Sequence, residues 1–156
     1  MRAHENVSMI DPNYLSRVQI PTEVKDTSRA FLVEWIIDVH RKFRLQSETL
    51  YVTVRIIDRF LSKQSIKKSQ LHILGVTALL ISTKYEEIYP PDLKELLQVS
   101  ENKFTRAQVL EMEMQILQVL EFDVTTPSAL RFLQRYVKLS AISTDTQKIL
   151  FFAQYL

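Results

Sequence analysis

Two acidic residues, Glu86 and Glu87, occupy an unusual position in the stretch KYEEIYPP. The fifteen residues up to and including Lys84, QLHILGVTALLISTK, have the pattern of a buried helix. The two prolines at the end of KYEEIYPP stop this helix. A helix C-terminus carries a partial negative charge and favours cations, so carboxylates are poorly placed there. Together with Lys84 and Tyr89, the two carboxylates form a candidate polar site whose chemistry would be binding through charge and hydrogen bonds.

Covalent, metal and nucleotide chemistry find little support in the residue types. The chain has no cysteine, which excludes disulfides, thiolate catalysis and cysteine-based zinc sites. Its three histidines, His4, His40 and His72, are far apart and lack the spacing of a metal-binding motif. Its single glycine, Gly75, cannot supply a phosphate-binding loop or a nucleophile elbow. We therefore expect no enzyme activity, no cofactor and no metal.

Length and composition are those of an ordinary globular protein. The 156 residues suggest one domain, or at most two small ones, with a substantial core. The net charge of +2 is too small to indicate nucleic-acid or membrane binding by itself. We find neither the apolar segment of a signal peptide nor a run long enough to span a membrane. The absence of cysteine fits an intracellular protein.

Apolar periodicity predicts an all-α fold with short links. The segment that begins at Thr27 carries apolar residues at helical spacing, namely Leu32, Trp35, Ile36, Val39 and Phe43. Similar patterns recur, and we predict five helices between Thr27 and Phe122. Gly75 lies inside the third helix, where glycine costs about 1 kcal/mol relative to alanine. We therefore expect a neighbouring helix to approach closely at Gly75.

Polar residues and prolines predict where these helices begin. Ser47 and Ser69 are candidate N-caps of the second and third helices. Pro91 is expected at the first position of a short fourth helix. Thr105 and Gln108 form a T-x-x-Q capping box before the fifth helix.

A second helical unit is expected after the fifth helix. Thr126 and Pro127 predict the start of a helix over residues 127–139, and Thr144 with Gln147 forms another capping box. The sequence ends in an apolar helical pattern at 149–156 without a stop signal. This pattern predicts an interrupted second unit, whose tail would be mobile or would self-associate.

Lys84 and Glu113 each interrupt an apolar helix face. Glu113 has apolar residues at its i±3 and i±4 positions, and Lys84 follows two apolar residues on its own face. One interpretation is that both side chains simply reach water at the edge of the stripe. The other is that they flank one apolar surface patch and bind the polar groups or the end of a partner helix.

Two further pairs stand out inside apolar helices. Arg29 and Asp58 are expected to form a buried structural ion pair, since an unpaired charge there would be costly. Trp35 and Leu32 fit either a hydrophobic core or a surface groove.

Three separated motifs together resemble the cyclin box of the mitotic A/B-type cyclins. They are SRAFLVEWIIDVHRKFRLQSETLYVTVRIIDRFLS, LLISTKYEEIYPP and VLEMEMQILQVLEFDVTTP, in that order. The resemblance implies an all-α fold of two five-helix repeats that activates a cyclin-dependent protein kinase by binding it, without catalysis of its own. It divides the chain into an N-terminal segment (1–26), a first cyclin box (27–123) and an incomplete second box (124–156).

The resemblance also implies a kinase-binding surface. By motif position, Lys84 and Glu113 would hydrogen-bond the αC helix of the kinase. Three neighbours would line the same rim near the αC helix and the activation segment: Glu86, Glu87 and Tyr89. The apolar surface between the two charges would consist of Ile81, Leu117 and Phe122.

A second implied surface is the groove that recruits R-x-L peptides of substrates and inhibitors. It would be formed by Ser28, Phe31, Leu32, Trp35 and Asp38, with His72 opposite. The chain departs from the family pattern here, because Ser28 stands where methionine is usual and His72 where glutamine is frequent. Arg29 and Asp58 match the family's structural ion pair.

The resemblance implies a nuclear and cytoplasmic location, with no nucleic-acid or membrane partner. A cyclin-fold adaptor of the transcription machinery is the alternative, and it predicts a strongly basic face for DNA. The sequence offers only short basic clusters for such a face, at Arg41, Lys42 and Arg44 and at Lys63, Lys67 and Lys68.

Overall fold

The computed structural model describes residues 10, 12–20, 24–124 and 128–140, with side chains up to Tyr136. All regular elements in these ranges are helical, which confirms the predicted all-α fold. We number the α-helices α1 (Tyr14–Arg17), α2 (Asp26–Phe43), α3 (Ser47–Lys63), α4 (Leu71–Glu86), α5 (Leu93–Val99), α6 (Arg106–Val119) and α7 (Ala129–Ser140). A 3₁₀ turn, Lys68–Gln70, immediately precedes α4.

Helix α4 forms the centre of the core. Twelve of its sixteen residues are buried, over an unbroken run from Ile73 to Thr83 after Leu71. A helix that is apolar on all sides must be surrounded by other helices, and α4 packs against α2, α3 and α6. Only the two ends of α4 therefore reach the surface.

The one glycine of the chain lies where α2 crosses α4. A Cβ atom at Gly75 would come within 2.6 Å of Leu32 Cδ1 and 3.2 Å of Leu32 Cγ. Such distances are too short for carbon atoms in contact, so Gly75 allows Leu32 to lie against the α4 backbone. The expected close approach is thus present, and the neighbouring helix is α2.

Two helices begin with the capping boxes that their sequences encode. Thr105 and Gln108 form the predicted box at α6, with both reciprocal hydrogen bonds. The start of α5 differs from the prediction, which placed Pro91 at the first position of the helix. The N-cap is Asp92, one residue after Pro91, and it forms a capping box with Glu95. Pro91 therefore lies outside the helix, because the aspartate one residue later supplies the side-chain acceptor that the helix end requires.

The predicted serine caps are wrong. Ser47 is the first residue of α3 and Gln46 is its N-cap, without a capping bond from its own side chain. Ser69 lies inside the 3₁₀ turn, and α4 begins only at Leu71. At α3, groups from elsewhere in the chain, described below, take the place of the serine cap. Before α4, the 3₁₀ turn that includes Ser69 moves the start of the helix to Leu71.

Helix α7 begins near the predicted position but with a different cap. Ser128 Oγ accepts a hydrogen bond from the backbone N–H of Arg131 at 3.1 Å. The predicted cap Thr126 and its neighbour Pro127 lie outside the described residues, as do Thr144, Gln147 and the predicted final helix. Among the described residues, no helix is long and apolar enough to cross a membrane.

Gln19, near the end of the N-terminal segment, is a buried polar residue with a structural role. Its Nε2 donates to the carbonyl oxygens of Leu61 and Gln64, both at 2.8 Å. Its Oε1 accepts from the backbone N–H of Ile66 at 3.2 Å. One side chain thus satisfies one backbone group near the end of α3 and two in the α3–α4 link, which is the kind of partner that buried backbone groups need.

We expect Gln19→Leu to destabilise the protein by about 3 kcal/mol or more. The leucine fills a similar volume but leaves three backbone groups unpaired, and each unpaired buried group costs on the order of 1–3 kcal/mol. Thermal and denaturant unfolding followed by circular dichroism would measure the change. Gln98→Leu at an exposed position of α5 is the matched control, and equal stability of the two variants would contradict this role for Gln19.

Candidate partner-binding surfaces

Lys84 and Glu113 face each other across α4 and α6. Lys84 Nζ lies 2.8 Å from Glu113 Oε1. The Lys84 side chain is 50% exposed, whereas that of Glu113 is 15% exposed. The two residues that interrupt apolar faces in the sequence are therefore one ion pair, and its ammonium group and second carboxylate oxygen remain able to form further hydrogen bonds.

Glu87 explains why an acidic residue follows the end of α4. Its Oε1 accepts hydrogen bonds from the Gln46 backbone N–H at 2.8 Å and from Thr49 Oγ1 at 2.5 Å. These groups belong to the first turn of α3, where the helix dipole is positive. The carboxylate is unfavourable with respect to α4 but favourable with respect to α3, for which it acts as the missing cap.

Glu86 is likewise turned into the protein. Its Oε2 lies 3.2 Å from Arg131 Nη2, and the Nε of the same arginine lies 3.5 Å from Glu48 Oε1. Both carboxylate side chains are only 11% exposed. Gln46 Nε2 also donates to the Glu86 carbonyl oxygen at 3.4 Å. The rim expected at Glu86 and Glu87 is thus made of carboxylates that already have partners within the chain.

Exposed apolar side chains follow the Lys84–Glu113 pair along the chain. Ile88 is 81% exposed, Tyr89 91% and Phe122 63%. Leu117 is partly buried against the core. The expectation that Ile81 belongs to this surface is wrong, because its side chain is 5% exposed and lies in the core. Its position on the all-apolar helix α4 made a surface location incompatible with the packing of α2, α3 and α6.

A groove of about 380 Å³ lies at the opposite end of α4. Its walls are Thr27, Ser28, Phe31, Leu32, Trp35, Lys68, Leu71 and His72. Five of the six residues predicted for the recruitment groove are among them. Asp38 is not, since it lies on the exposed surface of α2 with its carboxylate 3.8 Å from Arg41. Lys68 was not predicted, because only the 3₁₀ turn before α4 brings it to the groove.

His72, on the groove wall, packs against two aromatic rings, of which only Trp35 also lines the groove. Trp35 packs edge-on against it with ring centroids 4.6 Å apart, and Phe104 does so at 5.6 Å. Burial lowers the pKa of His72 below its ordinary value, and nearby Lys103 lowers it further, against a small opposing effect of Glu101. His72 is therefore neutral at pH 7. Trp35 and Leu32 pack against the core and also line the groove.

Arg29 and Asp58 form a bidentate ion pair between α2 and α3. The Arg29 Nε–Asp58 Oδ1 distance is 2.6 Å and the Nη2–Oδ2 distance is 2.7 Å. Tyr14 of α1 donates its hydroxyl to Asp58 Oδ1 at 2.7 Å. Burial and this hydrogen bond raise the pKa of Tyr14, so it remains a donor. The pair therefore joins α1, α2 and α3.

Three residues that contact these sites were not predicted for them: Glu48, Lys68 and Arg131. Glu48 and Arg131 look like ordinary exposed charges in the sequence, and Lys68 was noted only as part of a short basic cluster. Among the described residues, no group of three or more potential ligands could hold a metal ion. The arrangement offers two candidate binding surfaces, one at each end of a largely buried helix in an all-α domain.

Comparison with known proteins identifies the family. The profile of the cyclin N-terminal domain matches residues 1–125, so the chain belongs to the cyclin family. It is 38% identical over 151 residues to Cyclin-B2-1 of Oryza sativa subsp. japonica, covering 97% of the chain. It is 39% identical over 156 residues to the G2/mitotic-specific cyclin-B1 of Xenopus laevis, covering 100% of the chain. The predicted resemblance to mitotic cyclins is confirmed, and the similarity is to B-type cyclins.

These relatives are longer than the chain, which spans 35% of the rice protein and 38% of the frog protein. A solved structure supports the fold. The X-ray structure of a viral cyclin from herpesvirus saimiri superimposes with a TM-score of 0.77 at 24% identity. It covers 96% of the chain and 66% of the viral protein.

We expect Arg29→Ala to lower the free energy of unfolding by about 2 kcal/mol. Loss of one partner of a fully buried ion pair costs on the order of 3–5 kcal/mol. The cost is smaller here because Arg29 is 31% exposed and Tyr14 still donates to Asp58. Chemical denaturation would measure the free energy of unfolding. Arg29→Lys keeps the charge but loses the bidentate geometry, so its stability should lie between those of Arg29→Ala and the wild type. An unchanged midpoint for Arg29→Ala would contradict the structural role.

We expect the protein to lose stability as the pH falls below about 6.5, in part through His72. Because its folded-state pKa lies below the ordinary value of 6.5, the unfolded chain takes up the proton first. Acidification therefore favours unfolding until His72 is protonated in the folded state as well. Urea unfolding of wild type and His72→Gln between pH 7.5 and 5 would test this, and an identical pH slope in both proteins would refute it.

Proposed function

We propose that the chain binds and activates a cyclin-dependent protein kinase as a regulatory subunit in cell-cycle control. The observation that carries this proposal is the half-exposed Lys84–Glu113 pair, with exposed Ile88 and Tyr89 following Lys84 along the chain and exposed Phe122 following Glu113. A charged pair next to exposed apolar side chains can combine hydrophobic burial with directional hydrogen bonds, as partner surfaces do. The similarity to G2/mitotic-specific cyclins supports a kinase as the partner.

The binding chemistry follows from the hydrogen-bond donors of Lys84 and the acceptor oxygen of Glu113 that the pair itself does not use. The Lys84 ammonium has three N–H donors and uses one for Glu113, while the Glu113 carboxylate accepts from Lys84 through one oxygen. A kinase αC helix laid across this point would find donors from Lys84 and an acceptor on Glu113. Because Glu113 is mostly desolvated before binding, its hydrogen bonds are oriented in advance.

The mechanism we propose is positioning of kinase elements. Binding would hold the αC helix so that its glutamate pairs with the catalytic lysine of the kinase, which completes the site for the ATP phosphates. Tyr89 and Ile88 would cover the adjacent activation segment. In this scheme all chemistry remains on the kinase, and Glu86 and Glu87 contribute by holding the end of α4.

We further propose the groove at Ser28, Trp35 and His72 as a docking site for R-x-L peptides of substrates or inhibitors. Exposed Phe31 supplies an apolar wall. Asp38 lies outside the groove lining and Lys68 within it, so the arginine of such a peptide has no carboxylate on the groove wall to pair with. A nuclear and cytoplasmic location is proposed on the same family basis.

The transcription-adaptor alternative receives less support from the basic clusters. Lys63 lies 3.8 Å from Glu121 and donates to the Val119 carbonyl oxygen, and Arg41 lies 3.8 Å from Asp38. Lys68 lines the apolar groove. Residues that the adaptor would use for DNA phosphates are thus partly engaged with acidic or apolar neighbours.

We expect Lys84→Ala and Glu113→Ala each to weaken kinase binding by about 2–5 kcal/mol, because each removes one partner of a charge contact that binding desolvates. The melting temperature should change little for Lys84→Ala, since half-exposed ion pairs contribute about 0–1 kcal/mol to stability. Calorimetry with a purified cyclin-dependent kinase, followed by a histone phosphorylation assay, measures binding and activation.

Lys67→Ala is the control for this experiment, because Lys67 is an exposed lysine at the other end of α4. Its affinity should equal that of wild type. If neither Lys84→Ala nor Glu113→Ala changes the affinity, the kinase surface is elsewhere. If wild type binds DNA and no kinase, the adaptor alternative replaces the proposal.

A further inference from the structure

Arg131 of helix α7 forms ion pairs at the end of α4 and the start of α3. Arg131 reaches Glu86, the last residue of α4, at 3.2 Å, and Glu48 in the first turn of α3 at 3.5 Å. Glu87 lies alongside, bound to the start of α3. Three carboxylates thus converge where α4 ends and α3 begins, and the guanidinium of Arg131 bridges two of them.

The two carboxylates bridged by Arg131 depend on it electrostatically. Each side chain is only 11% exposed, so water contributes little to stabilising its charge. The planar guanidinium presents several N–H donors and can serve both carboxylates at once. Without the cation, Glu48 and Glu86 would be neighbouring like charges in a poorly solvated place. Glu86 would then be driven to turn outward into water.

The position of Glu86 connects this contact with the proposed kinase surface. Lys84 lies two residues before Glu86 in the same helical turn, and Ile88 begins the exposed segment two residues after it. A rotation of the last turn that frees Glu86 must therefore also move Lys84 relative to Glu113. Gln46 and Thr49 also bind this region, through the Glu86 carbonyl oxygen and the Glu87 carboxylate.

We propose that Arg131 is a positioning residue for the kinase-binding surface: by bridging Glu48 and Glu86, it holds the last turn of α4 so that Lys84 and the segment from Ile88 are already in binding geometry. This inference rests on the proposed kinase partner. It assigns to a helix of the second unit a role in the surface formed by α4 and α6, without requiring Arg131 itself to touch the kinase.

The positioning role differs from simple anchoring of α7 in what it predicts. If Arg131 only attached α7, its loss would lower the melting temperature and leave kinase affinity unchanged. If Arg131 acts through the end of α4, its loss must weaken the kinase complex, and the loss must depend on Lys84. Such dependence is measurable as non-additivity in a double-mutant cycle.

The experiment measures kinase affinity by calorimetry for wild type, Arg131→Gln, Lys84→Ala and the double variant. We expect Arg131→Gln to weaken binding on the order of tenfold in the wild-type background and less than about twofold in the Lys84→Ala background. Arg131→Lys keeps the positive charge but loses the planar guanidinium with its several N–H donors, and it should weaken binding about threefold. Arg41→Gln removes an exposed arginine of α2, 75% exposed, and should bind as wild type.

Each outcome decides between the alternatives. Wild-type affinity for Arg131→Gln overturns the positioning role while leaving the kinase proposal intact, and so does an equal loss in both backgrounds. Absence of kinase binding by the wild-type protein overturns the proposed function, and with it this inference. If Arg131→Gln lacks a cooperative melting transition, the cycle is measured with Arg131→Lys instead. Equal losses of kinase affinity with and without Lys84→Ala would then refute the positioning role of Arg131.

Discussion

The burial of the central run of helix α4 is the constraint on which the other features of this protein depend. Its run from Ile73 to Thr83 leaves no face for solvent, so α2, α3 and α6 must surround it. Even its polar side chains are used inside the core, as Ser82 hydrogen-bonds Thr53 of α3. A helix buried in this way can offer a partner only its two ends, which lie about 22 Å apart at 1.5 Å per residue. Both candidate binding surfaces are located there.

The two ends differ in chemistry because different neighbours meet them. At the N-terminal end, aromatic and aliphatic side chains of α2 face His72 and form a groove with one lysine on its wall. At the C-terminal end, charged residues dominate, and Lys84 pairs with Glu113 while the following carboxylates bind α3 and α7. An apolar groove suits an extended peptide, whereas a half-exposed ion pair beside apolar side chains suits a folded helix. The two candidate surfaces therefore lie apart on one scaffold and differ in chemistry.

The acidic residues after α4 show how one charge can be unfavourable locally and favourable in the assembled fold. Glu87 opposes the dipole of its own helix, yet it caps α3, whose N-cap residue Gln46 makes no capping bond of its own. Glu86 opposes the same dipole and binds Arg131. These contacts tie together the ends of three helices around Lys84. In our proposal, the kinase surface is positioned by residues that do not need to contact the kinase.

Sequence alone determined the helical class, the five helices of the first unit, the capping box at Thr105 and the need for a close neighbour at Gly75, because periodicity and capping are local properties. It also selected Lys84 and Glu113, since charges within apolar stripes are visible without coordinates. Tertiary structure decided which helix approaches Gly75, that Ile81 is buried, and that Asp38 is replaced by Lys68 on the groove wall. It also decided that the carboxylates of Glu86 and Glu87 face Arg131 and α3. These outcomes depend on which helix ends meet in space, and contacts between residues tens of positions apart leave no periodic or local signal in a single sequence.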